Sequence, residues 1–243
     1  MSGPSIVQSD QQAPATSSQV ALPLAASPSV GNILLAFCSY SQFGGTRTIG
    51  TPSGWVKQSD NTGAGGDSGD SQAVFTRVVQ AGDGTGPYTF PLTESSTDNT
   101  SGAIYELSGA STTSPVNQIA FASDGGATTQ PTASVTPSVL NCLALAGWSS
   151  DSNATETALT TGWTLDQSAT GTFHTTFSAH QNALTSDTTT AISATLTITS
   201  SGAAISTIVL IAPASAGAAG SVPVLMAART EVISRASGRV IRR

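Results

Sequence analysis

Two stretches of this chain, more than a hundred residues apart, repeat the same order of features. SPSVGNILLAFCSYSQ at 27–42, followed by TPSGWVKQS at 51–59, is answered by TPSVLNCLALAGWSSDS at 136–152 and TTGWTLDQS at 160–168. A chance Gly-Trp pair would mean little. Here a Pro-Ser-Val turn, an Asn, an apolar run, a polar loop and a Gly-Trp element ending in Gln-Ser recur in sequence, which marks an internal duplication. Whatever one half folds into, the other must fold into as well. An ungapped match sets Ser29 on Ser138 and gives Cys142 the parity of Ile33, Leu35 and Phe37, opposite to that of Cys38. The two thiols are then expected on opposite faces of their sheets, buried and free of a disulfide.

Each copy continues as a β protein. SQAVFTRVVQ, PYTFPLTES and GAIYELSGA in the first copy, and FHTTFSAHQ, AISATLTITS and AAISTIVLIAP in the second, are short runs bounded by Gly, Pro, Asp and Asn. In AISATLTITS, Ile192, Ala194, Leu196 and Ile198 alternate with hydroxyl residues, the pattern of a sheet with one wet face. NILLAFC is apolar on both parities and belongs in the middle of a sandwich. No sustained helical stripe appears before residue 220. The expected fold is all-β: two tandem, closely packed β-sandwich repeats of jelly-roll or Ig-like type, with a C-terminal arm. Residues 1–112 form the first repeat, 113–213 the second, and 214–243 a linker and basic assembly arm. Separate sandwiches and one sandwich built from related halves both fit this pattern. The strand-like residues in SGASTTSPVNQIAFASDGG favour close packing of the halves over a tether.

An apolar strand after Pro-Ser-Val, then Pro-Ser-Gly-Trp, VFTRVV, and AIYELSGA followed by Ser-Pro-Val, resembles a β-sandwich module of bacteriophage virion proteins and bacterial surface proteins. The resemblance spans about residues 4–213. It implies a structural or adhesive role on a phage particle and carries no shared active site.

Composition agrees with a hydroxyl-paved β surface: 36 Ser and 35 Thr stand beside only 9% charged residues, and 38% of the chain is hydrophobic. Charge is divided unevenly. Residues 1–228 hold Arg47, Lys57 and Arg77 against thirteen acids, whereas residues 229–243 hold five Arg and only Glu231. The body should repel nucleic acid and anionic membranes, so neither is expected as a partner. The N-terminal residues have no basic n-region and no long apolar run, so no export signal is expected. Assembly in the host cytoplasm and release by lysis in a virion would reconcile this with an extracellular composition.

The catalytic and ligand constellations are weak. GGDSGDS at 65–71 contains the Gly-Asp-Ser-Gly string of trypsin-like proteases, but both histidines, His174 and His180, follow it in the chain, against the order that fold requires. The loop reads as Gly-rich and solvated, and its Asp67 and Asp70, near Asp60, match no calcium loop. His174 and His180 share a parity and lie too far apart along a strand to share a metal, so they read as exposed polar positions. Trp55 and Trp163, each after a Gly at the start of a strand, are assigned to the structural core rather than to a sugar platform. Trp148 has no counterpart at its own position. No metal site, cofactor or catalytic set is expected.

The terminal segment carries the functional expectation. Apolar side chains interleave with its charges, so Arg229, Val232, Ile233, Arg235, Arg239, Ile241, Arg242 and Arg243 are assigned to partner binding through bidentate Arg–carboxylate contacts. The expectation is a non-enzymatic virion protein, a capsid decoration or cement protein. Its partners are other virion proteins, capsid or tail, and itself as a homo-oligomer. The alternatives are a tail, baseplate or fibre-associated protein, and an adhesion module that binds a glycan.

Overall fold

Among the described residues fifteen β-strands make up the regular structure and no helix is present. The computed structural model describes residues 3–41, 48–61, 70–93, 98–124, 126–184, 190–199 and 203–214. The arm residues Arg229 to Arg243 lie outside them. The first half contributes β1 (Ser5–Ser17), β2 (Gln19–Leu22), β3 (Ile33–Ser41), β4 (Val56–Asn61), β5 (Asp70–Val78), β6 (Tyr88–Pro91) and β7 (Asp98–Ser108). The second contributes β8 (Val116–Asp124), β9 (Thr129–Pro131), β10 (Cys142–Ser150), β11 (Glu156–Leu159), β12 (Thr164–Thr170), β13 (Thr175–Leu184), β14 (Thr195–Ile198) and β15 (Ala204–Ile211).

The apolar runs became the middle strands because a strand apolar on both faces must be covered on both. All nine residues of β3 and all nine of β10 are buried, at the centres of two antiparallel five-stranded sheets. Their orders are β1-β7-β3-β5-β4 and β8-β15-β10-β13-β12, the same order when each half is counted along the chain. Their irregularities also coincide. Gln58 bulges from β4 against β5 where Asp166 bulges from β12 against β13, and β1 and β8 each slip by a residue near their starts. Two smaller sheets, β2-β6 and β11-β14-β9, complete the set.

These sheets enclose three apolar layers. One lies between the first large sheet and β2-β6 and contains Leu34, Ala36, Cys38, Trp55, Phe75 and Phe90. Its counterpart in the second half contains Cys142, Ala144, Trp148, Trp163, Leu196 and Ile208. The third lies between the two large sheets and contains Ile33, Leu35, Phe37, Tyr105, Leu143 and Val209. Trp55 is 7% exposed and its ring meets Phe90 edge-on at 4.9 Å, while Trp163 is 9% exposed in the other outer layer. Both follow a tight turn whose Gly, Gly54 or Gly162, has a positive φ, 80° and 90° respectively.

The ungapped match fails by one residue at the turn before the central strand. Gly31 has φ 87° in the first half, and the matching left-handed position in the second is Asn141, φ 60°, one place further along. Asn tolerates that region better than most side chains, so the longer turn closes without glycine. Leu143, not Cys142, therefore takes the place of Ile33, and the expected opposition of the two cysteines is corrected. Cys38 and Cys142 both face the outer layer of their own half. They are buried, free thiols in separate cores, and burial pushes both above the ordinary thiol range, Cys142 to about 11.

The first-half turn is tied down by Glu106 of β7, which is 1% exposed. Its carboxylate accepts from Ser29 N (2.7 Å), Asn32 Nδ2 (2.6 Å) and Gln8 Nε2 (2.6 Å). Burial alone would raise its pKa, but these donors together hold it below the ordinary glutamate value. A depressed folded pKa contributes stability that is present above about pH 4.3 and lost as pH falls through the folded value. Glu106→Gln should cost about 1–3 kcal/mol at neutral pH, and urea titrations should show that cost shrinking below about pH 4. A cost that does not change with pH would contradict this role.

Candidate functional site

The layer between the two large sheets is apolar at one end and polar at the other. Ile33, Leu35, Leu107, Leu143, Leu145, Val209 and Ile211 fill the end near the starts of β3 and β10. Toward the opposite end the same faces carry Ser39, Ser41, Asp70, Gln72, Ser101, Ser149 and Thr207, all buried. The change follows the sequence of the central strands, where ILLAF gives way to CSYS and LALAG gives way to WSS. Burying polar groups there costs free energy unless they are hydrogen-bonded: Gln72 Nε2 donates to Ser39 Oγ within the first sheet, while Ser41 Oγ, Gln72 Oε1 and Ser101 Oγ have no partner among the described residues.

The halves meet as if related by a two-fold axis: β1 packs beside β12 and β8 beside β4, β7 beside β13 and β15 beside β5, and β3 contacts β10. Matching the ladders sets Phe37 on Gly147 and Asp70 on His174. Both matched pairs touch. A Cβ on Gly147 would lie 2.7 Å from the Phe37 ring, so the ring fills a site that only glycine leaves open. His174 Nδ1 lies 3.1 Å from Asp70 Oδ1, and Ser149 Oγ donates to Asp70 Oδ2 at 2.9 Å. Where strict two-fold symmetry would set like against like, this chain sets large against small and acid against base.

A second polar cluster spans the interface beside Tyr105 of β7. Its hydroxyl donates to Asp166 Oδ2 at 3.0 Å and lies 2.6 Å from Ser178 Oγ, while His180 Nδ1 is 2.7 Å from Asp166 Oδ1. Burial, and then the neighbouring Asp166, pushes the Tyr105 phenol well above its usual range, so it stays neutral. The reading of both histidines as exposed is corrected: His174 is fully buried and His180 partly so. Strand parity places them on one face as expected, but that face is internal. Asp70 is also corrected from a solvated loop residue to a buried anchor. Burial raises its pKa, and His174 and Ser149 offset only part of that rise.

Asp70, His174 and Ser149 are the residue types of a hydrolase triad in another arrangement. Serine and histidine both address the carboxylate, so this serine has no hydrogen bond to the histidine that would activate it. Asp60 pairs with Lys57 instead of approaching Asp70, and Asp67 lies outside the described residues. Among the described residues no three His, Cys, Asp or Glu gather in a way that would hold a metal. Trp148, unplaced by the repeat, is fully buried and donates its indole N–H to the Gln130 carbonyl at 3.0 Å.

On the surface, a groove of about 390 Å³ opens between the first half and the connecting segment, lined by Val56, Gln58, Arg77, Gln80, Thr112 and Pro115. Close by, Ala110 bridges Pro213 and Ala214 N donates to the Gly109 carbonyl at 2.8 Å. The described chain thus ends at a fixed point on the body, against the junction of the two halves.

The contacts across the axis predict a measurable coupling. Asp70→Ala and His174→Ala should each cost about 3–5 kcal/mol, because each strands its buried partner. The double variant should cost less than the sum by at least about 1 kcal/mol. Additive losses in chemical denaturation would show that the two side chains do not support each other.

Compared with family models, curated proteins and solved structures, the chain matches none of them.

Proposed function

We propose that the chain is a non-enzymatic structural protein of a bacteriophage virion, a capsid decoration or cement protein. Its body would be two tandem, closely packed β-sandwich units of one ancestry, and its C-terminal segment would attach it to the particle. The duplicated pattern in the sequence supports the tandem reading, as do the shared strand order and matching bulges of the two large sheets.

One observation carries the functional reading. Five of the eight basic residues fall within residues 229–243, while the body from which that segment departs is strongly acidic. Arginine forks recognise carboxylates bidentately, so the segment is suited to an acidic protein surface on a neighbouring subunit or shell protein. The buried polar residues support a structural role: Asp70, His174 and Ser149 are each at most 2% exposed, beyond the reach of a substrate. A tail or baseplate protein is the alternative within the same class. The glycan-binding alternative loses its proposed platform, since Trp55 and Trp163 are both core residues.

Removal of residues 215–243 should leave the thermal unfolding of the body unchanged and abolish incorporation into particles, read by gel analysis of purified particles. Replacing the five Arg with Gln should have the same effect. Normal incorporation of the truncated chain would overturn the proposal.

A further inference from the structure

Each large sheet has two edges, and an edge strand presents unpaired backbone groups to any strand that can approach it. Three of the four edges carry the usual protections. β1 contains Asp10 and Pro14 and breaks register twice, β4 carries the Lys57–Asp60 ion pair and a bulge, and β12 carries Asp166 and a bulge. β8 differs from all three. Its sequence VNQIAFASD has no proline and no charge before Asp124, and beyond a bulge at Asn117, next to its first residue, its pairing with β15 runs without a break from Gln118 to Asp124.

The pseudo-symmetry makes the contrast direct, because β8 occupies in the second half the place of β1 in the first. Where β1 meets β12, hydrogen bonds close the seam: Gln11 Nε2 donates to the Ser168 carbonyl (3.2 Å) and Gln167 Nε2 to Ser9 Oγ (2.9 Å). On β8 the residues that replace Ser9 and Gln11 are Ile119 and Phe121. Phe121 is 53% exposed, and on the facing β4, Ser59 Oγ and Asp60 Oδ1 are buried without a hydrogen-bond partner. The same strand positions thus carry polar contacts across the seam at one side of the molecule, whereas at the other Ile119 packs against the central layer and the Phe121 ring is left exposed.

We infer that β8 is a self-association edge, at which a second copy of this chain adds its own β8 antiparallel across a two-fold axis. The occupant follows from charge and symmetry. Each β8 carries a single charge, Asp124, and a pairing centred on Ala120 sets it opposite Val116 of the other copy rather than opposite its own like. The two strands therefore meet without direct repulsion even though the whole chain carries a net −6, and an isologous contact uses up both edges and closes the assembly at two. A pairing centred on Ala120 sets Phe121 of each copy opposite Ile119 of the other, covering both exposed rings. The two five-stranded sheets then continue as one sheet of ten.

This inference is independent of the C-terminal segment and can be tested apart from it. Sedimentation equilibrium of the full chain and of a chain lacking residues 215–243 should give dimers in both cases. Phe121→Lys, at an exposed position, should weaken self-association by about 100-fold with an unchanged circular dichroism spectrum. Ser123→Lys, on the same exposed edge, should also weaken it and serves as the second variant if Phe121→Lys misfolds. A monomeric full chain would overturn the inference, as would dimers that tolerate both lysines. Dimers that dissociate only on removal of residues 215–243 would overturn it in favour of the C-terminal segment.

Discussion

The packing of Phe37 into the space over Gly147 fixes how the two halves of this protein can meet. Both residues lie on central strands at matching positions, so their contact sits where the pseudo-two-fold axis passes through the interface. Two phenylalanines could not share that space, and two glycines would leave a void with its loss of dispersion contacts. The same differentiation recurs in side-chain type at Asp70 and His174. Size and hydrogen-bonding type therefore select the pairing of unlike halves over the pairing of like ones, a form of specificity built against the alternatives.

The rest of the architecture follows from that face-to-face contact. Once the large sheets cover one another, β3 and β10 are buried on both sides, and the small sheets need only close the outer faces. The polar end of the central layer is held by pairs that cross it, Asp70 with Ser149 and His174 Nδ1 and Tyr105 with Asp166 and Ser178, although His174 Nε2, Ser41 Oγ, Gln72 Oε1 and Ser101 Oγ are buried without a hydrogen-bond partner among the described residues. Such groups contribute direction more than net stability. The interface holds one register because displacement would strand them.

The differences that fit the two halves to one another are matched by a difference between their outer edges. Ser9 and Gln11 on β1 and Ile119 and Phe121 on β8 occupy matching places, yet only the first pair closes its seam with hydrogen bonds. The body thus carries side-chain hydrogen bonds at one seam and an exposed aromatic ring at the other, and five of the chain's eight basic residues follow it in the sequence.

Much of this could be read directly from the residues. Repetition of PSV, the apolar run and Gly-Trp determined that the halves would fold alike, and alternation in AISATLTITS determined a strand with one buried face. Gly before Trp marked two turns that need a positive φ. Local pattern could not reveal where the faces of those strands would point. His174 and His180 share a parity, but only the partner sheet makes that face internal, and only the extra residue at Asn141 turns Cys142 outward from the centre. Asp70 lies in a sequence that looks like a solvated loop, and its burial depends on a residue 104 positions away. Period and turn chemistry are local properties and determine the strands. Which polar residues become buried partners depends on long-range packing, so that part was decided by the tertiary structure alone.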